Sequence, residues 1–202
     1  MITPTKPRVS PASLLRSTLP RGPRTTNRMR AALASAGAGA FAAVMLSTPA
    51  PASAAPAWLD HLRDATRPYQ SIATAKADGY GLFKDAAGIA CIDNPPDGGM
   101  GVHFVNGDLV GDGEVLADHP EALVYDPTPD GKKLVALEYI VFRKAWRAEH
   151  PTGRPELYGQ KFEAISKDNR YGIPAFFELH VWAWKHNASG MFEDWNPRVT
   201  CP

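Results

Sequence analysis

The chain of 202 residues lacks most of the features by which a sequence declares its chemistry. It has only two cysteines, Cys91 and Cys201, and no C-x-x-C spacing, so neither a zinc ribbon nor a thioredoxin-like redox motif is encoded. No H-E-x-x-H, H-x-H or cupin-like histidine cluster is present, and no G-x-S-x-G, which removes the local signatures of zincins and α/β-hydrolases. No phosphate loop or G-x-G-x-x-G follows a strand, leaving nucleotide cofactors without support. No segment offers the run of about 20 strongly apolar residues that a membrane-spanning helix needs. Acidic residues are absent from residues 1–54, which hold seven basic ones (Lys6, Arg8, Arg16, Arg21, Arg24, Arg28, Arg30). The formal net charge of +1 is therefore unevenly spread, because residues 55–202 keep 15 basic against 21 acidic residues, a net of −6. An acidic body lacks the basic face that nucleic-acid binding requires. All five Trp and all six Tyr lie in that body, a composition that argues for a packed core over disorder.

What is present begins with an address. Met29-Arg30 precedes an apolar, small-residue run from Ala31 to Leu46, followed by Pro49, Pro51 and Ala52-Ser53-Ala54. A positive n-region, an apolar h-region and an A-x-A site are the three parts of a secretory signal peptide. Residues 1–54 are expected to be removed near Ala54, and the stretch before Met29 reads as an extended n-region or an over-extended start. No Cys follows the cleavage site, so no lipid anchor is expected, and the product is one soluble domain over 55–202 in an extracytoplasmic space. A secreted chain with two thiols usually pairs them, which predicts a Cys91–Cys201 bridge across 110 residues. Chain entropy puts such a bridge at about 4.7 kcal/mol as an upper guide. The rival reading, a reactive thiol or metal ligand, has no adjacent basic residue in its favour.

Ala57 to Gly79 carries apolar residues at three- and four-residue steps, predicting a helix interrupted by Pro68 and stopped at Gly79. Short strands are expected at Gly88–Asp93, Gly101–Asn106, Ala122–Tyr125 and Leu134–Phe142, with Ala175–Lys185 as the last and longest. Asp130-Gly131 before a strongly alternating run predicts a hairpin between the third and fourth of these. The expected class is α+β, an N-terminal helix packed on a curved antiparallel sheet or partial barrel of about five strands.

Across the mature part the motifs run Gly98-Gly99-Met100-Gly101-Val102-His103-Phe104-Val105-Asn106, Pro120-Glu121-Ala122-Leu123-Val124-Tyr125 and Leu137-Glu138-Tyr139. They continue with Leu179-His180-Val181-Trp182 and Trp195-Asn196-Pro197-Arg198-Val199-Thr200-Cys201. In these motifs the chain resembles a family of uncharacterised secreted bacterial proteins. The pattern departs at Asn187, which Ala188 follows where the family has proline. The resemblance implies secretion and a single domain; it implies no activity.

The chemistry must come from polar residues set in apolar strands. Alternation through Phe176–Trp184 predicts Glu178, His180, Trp182 and Trp184 on one face, with Phe177, Leu179, Val181 and Ala183 on the core face. His103 sits between Val102 and Phe104, and Glu138 within Val135–Val141; a buried carboxylate is costly unless paired. If these strands are neighbours, His103, Glu138 and His180 converge. Three readings stay open: a small-molecule pocket lined by His103, Glu138, His180, Trp182 and Trp184; a metal-assisted extracytoplasmic enzyme holding a divalent metal on His103, Glu138 and His180; and a structural envelope protein whose polar residues only specify packing. Asn106–Glu114 reads as a solvated turn rather than a calcium loop. Asn187-Ala188-Ser189 reads as a chance sequon, and His61, His119, His150 and His186 as surface groups. Trp195-Asn196-Pro197 reads as a plug holding the C-terminal segment.

Overall fold

The computed structural model describes residues 55–202; the leader and its expected cleavage near Ala54 lie outside the described residues. The chain starts with α1 (Ala57–Thr66), a 3-10 turn (Arg67–Gln70) and α2 (Ile72–Ala77). Pro68 has no N–H to continue α1, so the chain tightens there, and the Ser71 hydroxyl restarts it by accepting the Thr74 N–H. Gly79, at φ +93°, turns the chain out of α2.

The sheet is built from β1 (Gly81–Leu82), β2 (Cys91–Asn94), β3 (Gly98–Val105), β4 (Ala122–Thr128), β5 (Gly131–Phe142), β8 (Glu163–Ile165) and β9 (Phe176–Val181). Between them lie α3 (Gly107–Asp112), α4 (Arg143–Glu149) and a small ribbon of β6 (Glu156–Leu157) and β7 (Gln160–Lys161). The strand order is β1-β3-β4-β5-β9-β8 with β2 also on β3, every pairing is antiparallel, and the sheet does not close into a barrel. The class is α+β. No helix among the described residues is long and apolar enough to cross a membrane.

One face of the sheet packs against the helices. Leu59, Leu62 and Ala75 meet Phe104, Leu123, Tyr125, Leu137, Tyr139, Val141, Leu179 and Val181 in the main core. Each fully buried Leu there contributes roughly 1.5–3 kcal/mol. Core tyrosines send their hydroxyls to backbone carbonyls, Tyr125 to Tyr69 and Tyr80 to Pro120, so the aromatic bodies are buried without orphaned polar ends.

The opposite face is covered too. Trp182 and Val199 pack on Val124, Val135 and Ala136 at one end, and Val110 and Phe176 pack on Ala122 and Ile140 at the other. The C-terminal segment straps this face: Asn196 and Gly99 exchange both backbone hydrogen bonds. Gly98 and Gly99 make the approach possible, since a Cβ on Gly98 would lie 2.2 Å from the Asn196 carbonyl oxygen. Cys201 is then bonded to Cys91 on β2, with Cα atoms 5.6 Å apart.

Local hydrogen bonding moves several boundaries. The Asp85 carboxylate accepts the N–H groups of Ala87 and Ile89, closing a turn through Gly88, so β2 starts at Cys91 and not at Gly88. Asn106 accepts the N–H groups of Asp108 and Leu109 as a helix cap, so the expected solvated turn is the short helix α3. The final strand ends at Val181 rather than Lys185, because the Trp182 N–H turns to the Met191 carbonyl. β5, at 12 residues, is the longest strand among the described residues instead.

Candidate functional site

Between the two apolar clusters of the strapped face runs a polar row. His103 comes from β3, Glu138 from β5, and Glu178 and His180 from β9, all 5% exposed or less. Register dictates the assembly. Glu138 lies across from His180 on one side and Ala122 on the other, while His103 lies across from Val124. β4 thus separates His103 from Glu138 by two inter-strand spacings, roughly 9–10 Å. Ala122 offers only a methyl group in that gap, and the two longer side chains meet above it. His103 Nε2 is 3.4 Å from Glu138 Oε2, and His180 Nε2 is 4.0 Å from the same oxygen. The three sequence-predicted polar residues therefore come together, each with a ligating atom within 4.8 Å of the others.

Two partners of the row carry no sequence signal of the kind that found the others. Asp194, in the C-terminal strap, places Oδ1 3.3 Å from His180 Nδ1. Glu163, on β8 across from Glu178, forms a second group of neighbouring carboxylates with Glu178 and Asp194. Both acids sit in segments without apolar periodicity, where a carboxylate breaks no pattern.

Burial sets the protonation of the row. It drives the His103 imidazole down to about 3, helped by the neighbouring His180. It raises Glu138 against the pull of His180, and it pushes Glu178 up to about 9 with Glu138 adding to the effect. Burial also opposes charge on His180, but Glu138, Asp194 and Glu178 outweigh it and hold that imidazole up to about 9. Burial and neighbouring charge thus move the two imidazoles in opposite directions, His103 down and His180 up, and raise both carboxyls. His103 Nδ1, Glu178 Oε2 and both nitrogens of His180 lack a well-aligned hydrogen bond.

A cavity of about 310 Å³ opens onto this row, with His103 and Glu138 in its wall. The rest of the wall is apolar, from Val105, Val110, Ile140, Phe142, Ile173 and Phe176. Tyr171 and Phe83 stand edge-tilted against each other at its side. Gly81 and Gly107 also line it, and a Cβ at either would meet nothing within 4 Å.

The two tryptophans expected in this pocket are elsewhere. Trp182 stays on the strapped face but packs on Val124, Val135, Ala136 and Val199, its indole N–H donating to the Glu193 carbonyl. Trp184 is on the opposite, helix-covered side, where its indole N–H reaches the Thr66 hydroxyl. The alternation that would have kept Trp184 beside His180 ends with the strand: the N–H groups of Trp184 and Lys185 both go to the Val135 carbonyl. Trp182 and Trp184 border a separate hollow with Arg63, Lys185 and Met191. His61, His119, His150 and His186 are exposed. Asn187 is buried, giving its amide N–H to the Trp195 and Glu193 carbonyls, so the sequon side chain is a structural tie.

Of the buried acids that the sequence did not single out (Asp85, Glu121 and Asp126), Glu121 is the most enclosed. Glu121, 2% exposed, accepts the Ile140 N–H with Oε2 at 2.9 Å. Burial pushes its carboxyl up to about 8. Comparison of the chain with protein-family models, curated proteins and solved structures finds no match.

Proposed function

We propose that this protein is exported and binds a small, largely apolar molecule in the cavity beside β1, β3 and β5, with one polar group of that molecule meeting His103 and Glu138. The observation that carries the reading is the cavity itself, about 310 Å³, apolar apart from His103, Glu138 and Tyr171. That composition and size match small-molecule sites, which run from about 300 to 1,000 Å³ and use few polar groups to orient an apolar ligand. Export is supported by the three-part leader and by the Cys91–Cys201 bridge, a bond that persists in oxidising compartments. The wall is His, Glu, Tyr and Phe, so aromatic contact comes from Tyr171, Phe83 and Phe176 in place of the tryptophans.

The test is a panel of medium-chain alkanoates, the matching alcohols and aryl carboxylates, read by native mass spectrometry and by thermal shift. At least one class is expected to bind the wild type and to lose binding in Gly107→Phe, which fills the free space beside the wall. Because that space is open, the variant is expected to melt near the wild type. No binding by any class, or equal binding by Gly107→Phe, overturns the proposal and leaves the polar row a packing device.

A further inference from the structure

The donor atoms in the row ask for something the protein itself does not supply. His180 is 1% exposed, and neither of its ring nitrogens makes a well-aligned hydrogen bond. Each buried polar atom left in that condition gives up its hydration with nothing in exchange. Among the described residues, no Lys or Arg forms an ion pair with Glu138, Glu178 or Asp194; Arg170 pairs with Asp85. The imidazoles of His103 and His180 are, among the described residues, the only basic groups that pair with these carboxyls.

We infer that His103 Nε2, Glu138 and His180 Nε2 hold one divalent first-row transition-metal ion, with Asp194 behind His180 as the carboxylate that orients its ring. The donor set is two imidazoles and one carboxylate, which suits zinc, iron, manganese or cobalt and is poorly suited to calcium. Tetrahedral donors on bonds of about 2.0–2.1 Å stand roughly 3.3–3.4 Å apart. The two His–Glu138 separations, 3.4 Å and 4.0 Å, lie at or up to about 0.7 Å beyond that spacing, and all three donors are within 4.8 Å of one another. Asp194 is the second, independent feature. Metal-bound histidines give their other ring N–H to a carboxylate, and Asp194 Oδ1 faces Nδ1 of His180, opposite the nitrogen turned toward Glu138.

Three protein donors leave coordination positions free. His103 and Glu138 line the cavity and His180 does not, so an ion held by all three would turn its free positions toward the apolar space. This deepens the pocket reading without depending on it: the ion would be the group that the polar end of a bound molecule meets. A divalent ion beside one carboxylate and two neutral imidazoles carries net positive charge, so that polar end is an anion or a carbonyl oxygen.

The experiment strips the purified chain with EDTA and titrates it with CoCl₂, following visible absorption, with zinc as competitor. One equivalent of cobalt is expected, displaced by one of zinc. Asp194→Ala, whose side chain is a quarter exposed, is expected to stay folded and lose 10- to 100-fold in affinity. His119→Ala, at an exposed site, is expected to bind as the wild type does. Gly107→Phe is expected to keep the cobalt, so loss of ligand binding and loss of metal are separate results. Wild-type protein that takes up no stoichiometric cobalt or zinc overturns the inference, as does an Asp194→Ala variant with unchanged affinity.

Discussion

Glu121→Gln offers a quantitative check on how this fold treats buried charge. The Glu121 carboxyl accepts the Ile140 N–H just before β4 begins, and burial raises its pKa from the ordinary 4.5 to about 8. Between those two values the folded protein keeps a proton that the unfolded chain has released. The stability this group allows is therefore complete below about 4.5, falls as pH rises, and is fully lost above about 8. Linkage with these two pKa values makes wild-type protein lose about 3 kcal/mol between pH 5 and pH 7.5 through Glu121 alone. Glutamine keeps the acceptor oxygen for Ile140 and cannot ionise, so Glu121→Gln does not suffer that loss. Urea unfolding of both proteins at the two pH values isolates the effect, because every other titrating group cancels in the difference. The variant is expected to gain about 3 kcal/mol on wild type as pH rises from 5 to 7.5. A gain below about 1 kcal/mol would refute the claim that this carboxyl is held protonated by burial.

Three further outcomes follow from contacts already described. Cys201→Ser opens a loop of 110 residues and is expected to cost up to about 4.7 kcal/mol in urea unfolding, matched by wild type in reductant. Asn187→Ala leaves the Trp195 carbonyl without its Asn187 donor, while Glu193 keeps the Trp182 indole N–H, and is expected to cost about 1–3 kcal/mol; mass spectrometry of material from a glycosylating host finds no sugar on Asn187. Trp184→Ala is expected to lower stability by about 2 kcal/mol or more through lost packing against α1, yet leave ligand and cobalt titrations unchanged, since Trp184 is on the other side of the sheet from His180.

Which parts of this were legible in the sequence depends on whether a residue breaks a pattern. The β4–β5 hairpin is readable because Asp130-Gly131 interrupts two alternating runs, and Thr128 pairs with Gly131 there. His103, Glu138 and His180 are readable for the same reason, as polar residues inside strands otherwise apolar on both faces. Their convergence needs the strand order, which alternation does not contain. Glu121 follows Pro120 before a strand and resembles any solvated turn acid; only the position of Ile140 on β5 buries it. Trp184 was misplaced because alternation cannot say where a strand stops. The short helix α3 hides for a related reason: Asn-Gly-Asp is a turn sequence, and one capped turn of six residues adds no periodicity to contradict it.

Asp194 shows why the site is a property of the closed fold and not of the sheet alone. The strands bring His103, Glu138 and His180 together through register. Asp194 has no such support. Its position is set by the anchors on either side of it, the Met191 carbonyl at Trp182 and the Asn196 bridge to Gly99, with the Cys201–Cys91 bond beyond. Gly98 and Gly99 are thereby part of the site's construction: a side chain at Gly98 would displace the strap, and the carboxylate facing His180 would move with it. Oxidation of one cysteine pair therefore fixes more than stability. It holds the segment that gives His180 its acidic partner.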